Sequence, residues 1–177
     1  MGRSGVWTLA ARKVATLAVG AVLSCRDLAY YLRAFCTSDD IPPLRAVFEW
    51  AVGQGVRLDS PEAELDSSTW LQAEILYKRD RSPIVAETNT DDLVREEVGE
   101  FIESLEDVDE SPEKQKVLEH LRQTKAIVAV QLLGDIDDDG YSAAGTFLTY
   151  FVEHCAGLIQ ADGEGFYERE RLIVELD

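Results

Sequence analysis

The sequence predicts an α+β fold in which a central mixed or antiparallel sheet is packed by helices, most of them on one main face. Short apolar runs typical of buried strands alternate with amphipathic stretches typical of helices along the 177 residues. Hydrophobic residues make up 46% of the sequence, which is enough for a globular core. The length suits one domain, and we expect residues 1–177 to form it.

The first elements are predicted to be a strand and a helix. Residues 13–23 are rich in Val, Leu and Ala, as in a strand that is buried on both faces. Ser24 then suits the N-cap of a helix. Because Leu28, Leu32 and Phe35 recur at helical spacing, we expect that helix to continue through them.

The next segment is predicted to form a second helix and a β-hairpin. Pro43 begins the helix, which ends at the glycine-rich residues 53–55. Its buried side is predicted to contain Leu44, Val47, Phe48, Ala51 and Val52. Residues 56–58 begin a short strand. Residues 70–77 alternate apolar and polar side chains, as in a half-buried strand, and residues 84–88 form its hairpin partner.

Two helices follow. Thr90 or Asp91 begins an acidic helix whose apolar positions recur at steps of four and three. These positions are Val94, Val98, Phe101, Leu105 and Val108. Ser111 suits the N-cap of the next helix, since Pro112 is favoured in a first helical turn.

The last third is predicted to be strand, helix and two strands. In order these are a buried strand at residues 126–133, an aspartate-rich loop at 134–140, a helix at 141–155 and strands at 158–162 and 172–176. The glycines of residues 163–167 predict a hairpin or a bulge between the last two strands.

The element order suggests two similar halves. Residues 13–36 and 125–155 share one pattern, in which a Lys, a buried strand, a polar turn and a helix ending in Cys follow each other. We hypothesise that residues 13–89 and 125–177 are strand–helix–strand–strand pseudo-repeats, joined by the helices of residues 90–124. Such halves would pair around a cleft.

Charge is distributed unevenly along the chain. Its formal net charge is −17, but residues 1–58 carry +3 and residues 59–177 carry −20, of which −11 lies within residues 87–113. A chain this acidic is repelled by phosphate backbones and anionic lipid, so nucleic acid and membrane surfaces are excluded as expected partners.

The aspartate-rich loop contains the strongest local motif. Asp135, Asp137 and Asp139, followed by Gly140, match the first positions of a calcium-binding loop. Position 12 falls on Thr146 instead of a bidentate Glu, and a strand precedes the loop. These mismatches favour an acidic turn in which Asp139 or a neighbouring group caps the next helix. We retain the three aspartates as candidate ligands of Ca²⁺ or Mg²⁺.

The cysteines and histidines point to no catalytic motif. Cys25, Cys36 and Cys155 are sparse and irregularly spaced, which is typical of reduced thiols in a cytoplasmic protein. As an alternative, Cys25 follows an apolar run and resembles the lipidated cysteine of a lipoprotein, although no polar tether follows it. His120 and His154 lie in no metal-ligand or nucleophile–base spacing.

These observations favour a non-catalytic, intracellular binding protein. Its partner is expected to be a basic protein, whose approach Glu96, Glu100 and Glu103 would steer. The first alternative is a small-molecule-binding module with its ligand in a cleft between the two halves. The second is a metal-dependent enzyme that uses the three loop aspartates. The sequence leaves the partner's identity and the oligomeric state open.

Overall fold

The structure is a computed structural model that describes residues 30–61 and 63–176. The elements along this part of the chain are β1 (Tyr30–Cys36), α1 (Leu44–Gly53), β2 (Gln72–Ile75), β3 (Ile84–Thr90), α2 (Asp91–Ser104), α3 (Pro112–Gln123), β4 (Ala126–Leu132), α4 (Asp138–His154), β5 (Gly157–Ala161), β6 (Gly165–Glu168) and β7 (Arg171–Glu175). A 3₁₀ turn at Leu105–Asp107 follows α2. None of the described helices is long and apolar enough to cross a membrane. The strand predicted at residues 13–23 and the predicted roles of Ser24 and Cys25 lie outside the described residues.

The strands form one seven-stranded sheet in the order β2-β3-β4-β1-β5-β6-β7. Every neighbouring pair is antiparallel, so the antiparallel alternative of the predicted sheet is confirmed. β1 lies between β4 and β5, with Leu32 opposite Val130 on one side and Ala161 on the other. Chain segments that are far apart in the sequence therefore meet at the centre of the sheet.

Helices cover both faces of the sheet, so the expectation that they gather on one main face was wrong. α1 and α4 pack on one face, against Leu32, Ala34 and Cys36 of β1. α2 and α3 pack on the other face, where Phe35 contributes to a second buried cluster. The reason is that the central strands are apolar on both sides; β4, for example, is buried at six of its seven positions.

Residues 30–36 are a strand, which corrects the helix predicted to continue through Leu32 and Phe35. The sequence of this segment is compatible with the period of a helix and with that of a strand. In a strand, Leu32, Ala34 and Cys36 lie on one face and Tyr31, Arg33 and Phe35 on the other. Pairing with β4 and β5 along this segment decides in favour of the strand, since it satisfies the backbone on both edges.

The predicted helices at residues 43–53 and 90–123 are confirmed, with small differences at their ends. α2 contains the expected apolar stripe, in which Val94 is fully buried and Val98 and Phe101 pack against the second cluster. The Ser111 hydroxyl accepts the Lys114 N–H at 3.0 Å, with Pro112 in the first turn, as expected. Val52 was predicted to be buried, but 57% of it is exposed because it faces away from α4 and the sheet.

Three connections differ from their predictions. Residues 56–58 do not form a strand; instead Asp59 makes an isolated bridge with Leu76. The segment at 163–167 contributes a strand of its own, β6, with the expected bulge in its pairing between Phe166 and Tyr167. α4 begins at Asp138, three residues earlier than predicted, because Asp137 supplies its cap.

Gly165 is required by the close approach of β6 and β7. Its φ is +128°, and an added Cβ would overlap the Val174 carbonyl oxygen. We expect Gly165→Ala to destabilise the protein by about 3 kcal/mol or more, measured by urea unfolding. Gly163→Ala is the matched control, because its φ is +66° and no atom lies within 4 Å of the added Cβ. Gly163→Ala should lower the free energy of unfolding by about 1 kcal/mol. If both variants lost the same stability, the close approach of β6 and β7 would not be the reason that Gly165 is required.

His120 joins α3 to β1, because its Nε2 lies 2.7 Å from the Phe35 carbonyl oxygen, to which the neutral ring donates. Burial lowers the pKa of His120, and the charge of Lys116 acts in the same direction. As pH falls below about 6.5, His120 is therefore protonated more readily in the unfolded chain than in the folded one. This protonation favours the unfolded state, so the folded state loses stability below that pH. We expect the free energy of unfolding to fall between about pH 7 and 5 in the natural chain. This fall should be smaller in His120→Gln, which keeps a donor for Phe35.

Candidate functional site

The acidic helix α2 presents its carboxylates to solvent because its apolar stripe is anchored on the sheet. Phe101 packs edge-to-face on Phe35 and on Phe166, with ring centroids 5.3 and 5.6 Å apart. This anchor fixes the rotation of the helix about its axis. Glu96, Glu100 and Glu103 are consequently exposed.

We call Glu96, Glu100 and Glu103 the acidic stripe, since their spacing places them along one side of α2. None of the three forms an ion pair with any residue in the described part of the chain. Arg95, the one basic residue of α2, pairs with Asp92. The stripe is therefore a negative surface without local counter-charge.

Beside the stripe, Arg33 of β1 is the centre of a partly buried polar cluster. Its Nε donates to Glu97 at 2.6 Å, and one terminal nitrogen donates to Asp162 and to the Gln160 amide oxygen. The guanidinium also lies 5.2 Å from the ring centroid of Tyr31. The cluster satisfies the charge of Arg33, which strand pairing holds on the α2 side of the sheet.

A cleft of about 650 Å³ opens next to this cluster, between the end of α2 with the turn that follows it and the ends of β5 and β7. It is lined by Phe101, Ser104, Asp107, Val108, Gln160, Asp162, Gly163, Glu175 and Leu176. The lining combines apolar side chains with carboxylates and one nearly buried amide. Phe101 and Ser104 of the lining belong to α2, the helix that also carries the acidic stripe.

The predicted metal ligands have other partners in the structure. Lys78 Nζ lies 2.8 Å from Asp137 and 2.6 Å from Asp139, and the Ser82 hydroxyl donates to Asp135 at 2.8 Å. Asp137 also caps α4, because its carboxylate accepts the Gly140 N–H at 3.0 Å. No group of three or more His, Cys, Asp or Glu side chains that could hold a metal ion occurs among the described residues. This geometry lends the metal-dependent alternative no support.

Asp137 carries two roles that can be separated. The hydrogen bond from Lys78 lowers the pKa of the Asp137 carboxyl, so its contribution to stability is present at neutral pH and is lost as pH falls through that lowered pKa. At pH 7 we expect Asp137→Asn, which loses the ion pair but keeps the cap, to melt at a lower temperature than the natural chain. Asp137→Ala loses both and should melt at a lower temperature still. Each step should be a few degrees. The first step should shrink as pH falls through the lowered pKa of Asp137; a gap that stays constant over the whole acid range in which the protein is folded would contradict the ion pair.

Cys36 and His120 do not form a nucleophile–base pair. Cys36 faces α1 and α4, whereas His120 bonds the Phe35 carbonyl from α3 on the opposite face. Cys36 instead lies next to Cys155, and both are buried free thiols. His154 stacks on Tyr150, with ring centroids 4.1 Å apart.

A second depression, of about 490 Å³, lies between the two predicted halves. Residues 54–57, Tyr77 and Lys78 line one side, and Asp139, Ser142 and Ala143 line the other. The small-molecule alternative expected an apolar pocket with few polar groups, whereas charged side chains occupy both walls here. That alternative stays a prediction. The pseudo-repeat also stays a prediction, but the two halves do not share a helix ending in Cys, because Cys36 ends a strand whereas Cys155 follows helix α4.

Comparison with known proteins identifies no relative: no family model matches the chain, and no curated protein or solved structure is detectably similar to it. The function is therefore argued from geometry and charge alone.

Sequence reasoning found the acidic stripe but missed the residues beside it. Arg33 falls within a predicted helix, and Gln160 and Asp162 fall within a predicted strand that has no role in the expected site. An Arg within an apolar strand is the signal that could have identified the cluster, because a buried guanidinium requires carboxylates nearby.

Proposed function

We propose that this chain is a non-catalytic binding protein and that α2 carries the surface that engages a basic protein partner. The observation that carries the proposal is the acidic stripe, in which Glu96, Glu100 and Glu103 are exposed and lack counter-charges in the described part of the chain. These side chains are anchored on a helix that packs firmly on the sheet. A partner therefore meets a fixed array of charges.

The acidic stripe is short enough for its three carboxylates to act together on one partner. Glu96 and Glu103 are seven residues apart, which corresponds to roughly 10 Å along a helix axis. This distance is close to the screening length in about 0.1 M salt, so the charges act together on an approaching cation. Residues 87–113 carry a net −11, which extends the same field around the stripe.

An intracellular location belongs to the same proposal. It is supported by the two described cysteines, Cys36 and Cys155, which are free thiols. Reduced neighbouring thiols are typical of proteins in the cytoplasm.

Hexa-arginine is a suitable probe of the stripe, because it presents basic side chains without any fold of its own. We expect Glu96→Gln/Glu100→Gln/Glu103→Gln to weaken its binding about tenfold at low salt, measured by fluorescence anisotropy. Binding to the natural chain should weaken as salt rises from about 20 to 300 mM.

The matched control is Glu49→Gln/Glu64→Gln/Glu153→Gln, which makes the same change in net charge at exposed positions outside α2. Its affinity should stay within about twofold of the natural chain. Equal weakening by the two triple variants would show that only net charge matters. Salt-independent binding would also refute the steering role.

A further inference from the structure

The cleft beside the acidic stripe has the features of a receptor for a single side chain. We propose that it binds one arginine or lysine side chain of the basic partner, together with a main-chain carbonyl of the same segment. This inference rests on the proposed function and names how the partner is anchored. It is carried by the amide of Gln160, the carboxylates of Asp107 and Asp162, and three apolar side chains within a largely polar lining.

Gln160 offers a donor that no described residue uses. Only 2% of this residue is exposed, and its amide oxygen accepts from Arg33 at 2.9 Å. A guanidinium can only donate, so the oxygen must face Arg33 and the amide nitrogen must point away from it. Within the described residues that nitrogen donates no hydrogen bond. A nearly buried donor that lines a cleft is suited to a peptide carbonyl.

The charges of the cluster favour a second cation. Arg33 is one positive charge between two carboxylates, Glu97 and Asp162, so the group keeps a net negative charge. Among the described residues, the second oxygen of Asp162 accepts only the Tyr31 N–H, at 3.3 Å. Asp107 lines the same cleft, is exposed and forms no ion pair with the described residues. An arriving ammonium or guanidinium would find acceptors that are already positioned.

The walls suit the stem of a long basic side chain. Phe101, Val108 and Leu176 provide apolar surface on which methylene groups can pack while the charged end reaches the carboxylates. The volume of about 650 Å³ also leaves room for peptide groups on either side of that side chain. A phosphate or a carboxylate ligand is disfavoured by the same negative charges.

The test uses the full chain and two small probes, N-acetyl-arginine amide and its neutral isostere N-acetyl-citrulline amide. In a ¹H–¹⁵N NMR titration, the arginine probe should shift the side-chain amide signals of Gln160 and the backbone signal of Gly163. The citrulline probe should leave them unmoved, because it lacks the charge.

Ser104 allows the cleft to be filled without changing any charge, since it is exposed at the end of α2 and lines the cleft. Ser104→Trp should abolish the shifts and weaken hexa-arginine binding about tenfold, whereas Ser104→Ala should retain both. Urea unfolding checks that both variants are folded.

The outcomes separate this inference from the proposed function. Unmoved Gln160 signals, equal shifts with both probes, or equal behaviour of the two Ser104 variants would overturn the cleft as a receptor. The stripe would still stand if hexa-arginine binding remained salt-dependent and sensitive to its three glutamates. Conversely, hexa-arginine that fails to bind would refute the proposed function, while the arginine probe would still decide the cleft.

Discussion

The pairing of β1 between β4 and β5 is the constraint on which the rest of the structure depends. It places a strand with two different faces at the centre of an antiparallel sheet. Leu32, Ala34 and Cys36 anchor α1 and α4 on one face, and Phe35 anchors α2 and α3 on the other. Because side chains alternate along a strand, the same register that buries Phe35 also places Arg33 beside α2. The polar cluster is thus a direct consequence of the core.

The carboxylates of this molecule occur in two kinds of surroundings, with and without a cation as partner. Where carboxylates approach the interior, cations accompany them: Arg33 pairs with Glu97 and Asp162, and Lys78 pairs with Asp137. On the outer side of α2, Glu96, Glu100 and Glu103 have no such partners among the described residues. Uncompensated charge costs little at a solvated surface and remains available for association. This contrast distinguishes structural ion pairs from a surface suited to recognition.

The acidic stripe and the cleft complement each other physically. Exposed charges act over roughly 10 Å and accelerate encounter, but they contribute little to the lifetime of a complex. Partly buried acceptors and donors such as those of the cleft would contribute more to that lifetime, since their interactions are less exposed to solvent and geometrically specific. α2 carries the stripe and forms one wall of the cleft, so one packed helix positions both.

The sequence by itself determined the elements whose signals are local: the amphipathic stripe of α2, the Ser111 cap of α3, the buried run of β4 and the exposure of Glu96, Glu100 and Glu103. Helical periodicity and capping chemistry act within a few residues, so they can be read directly from the sequence. Only the tertiary structure decided that residues 30–36 are a strand, that helices cover both faces, and that Arg33, Gln160 and Asp162 meet. Those outcomes depend on pairing between segments up to about 130 residues apart, and local sequence preferences do not specify which segments pair.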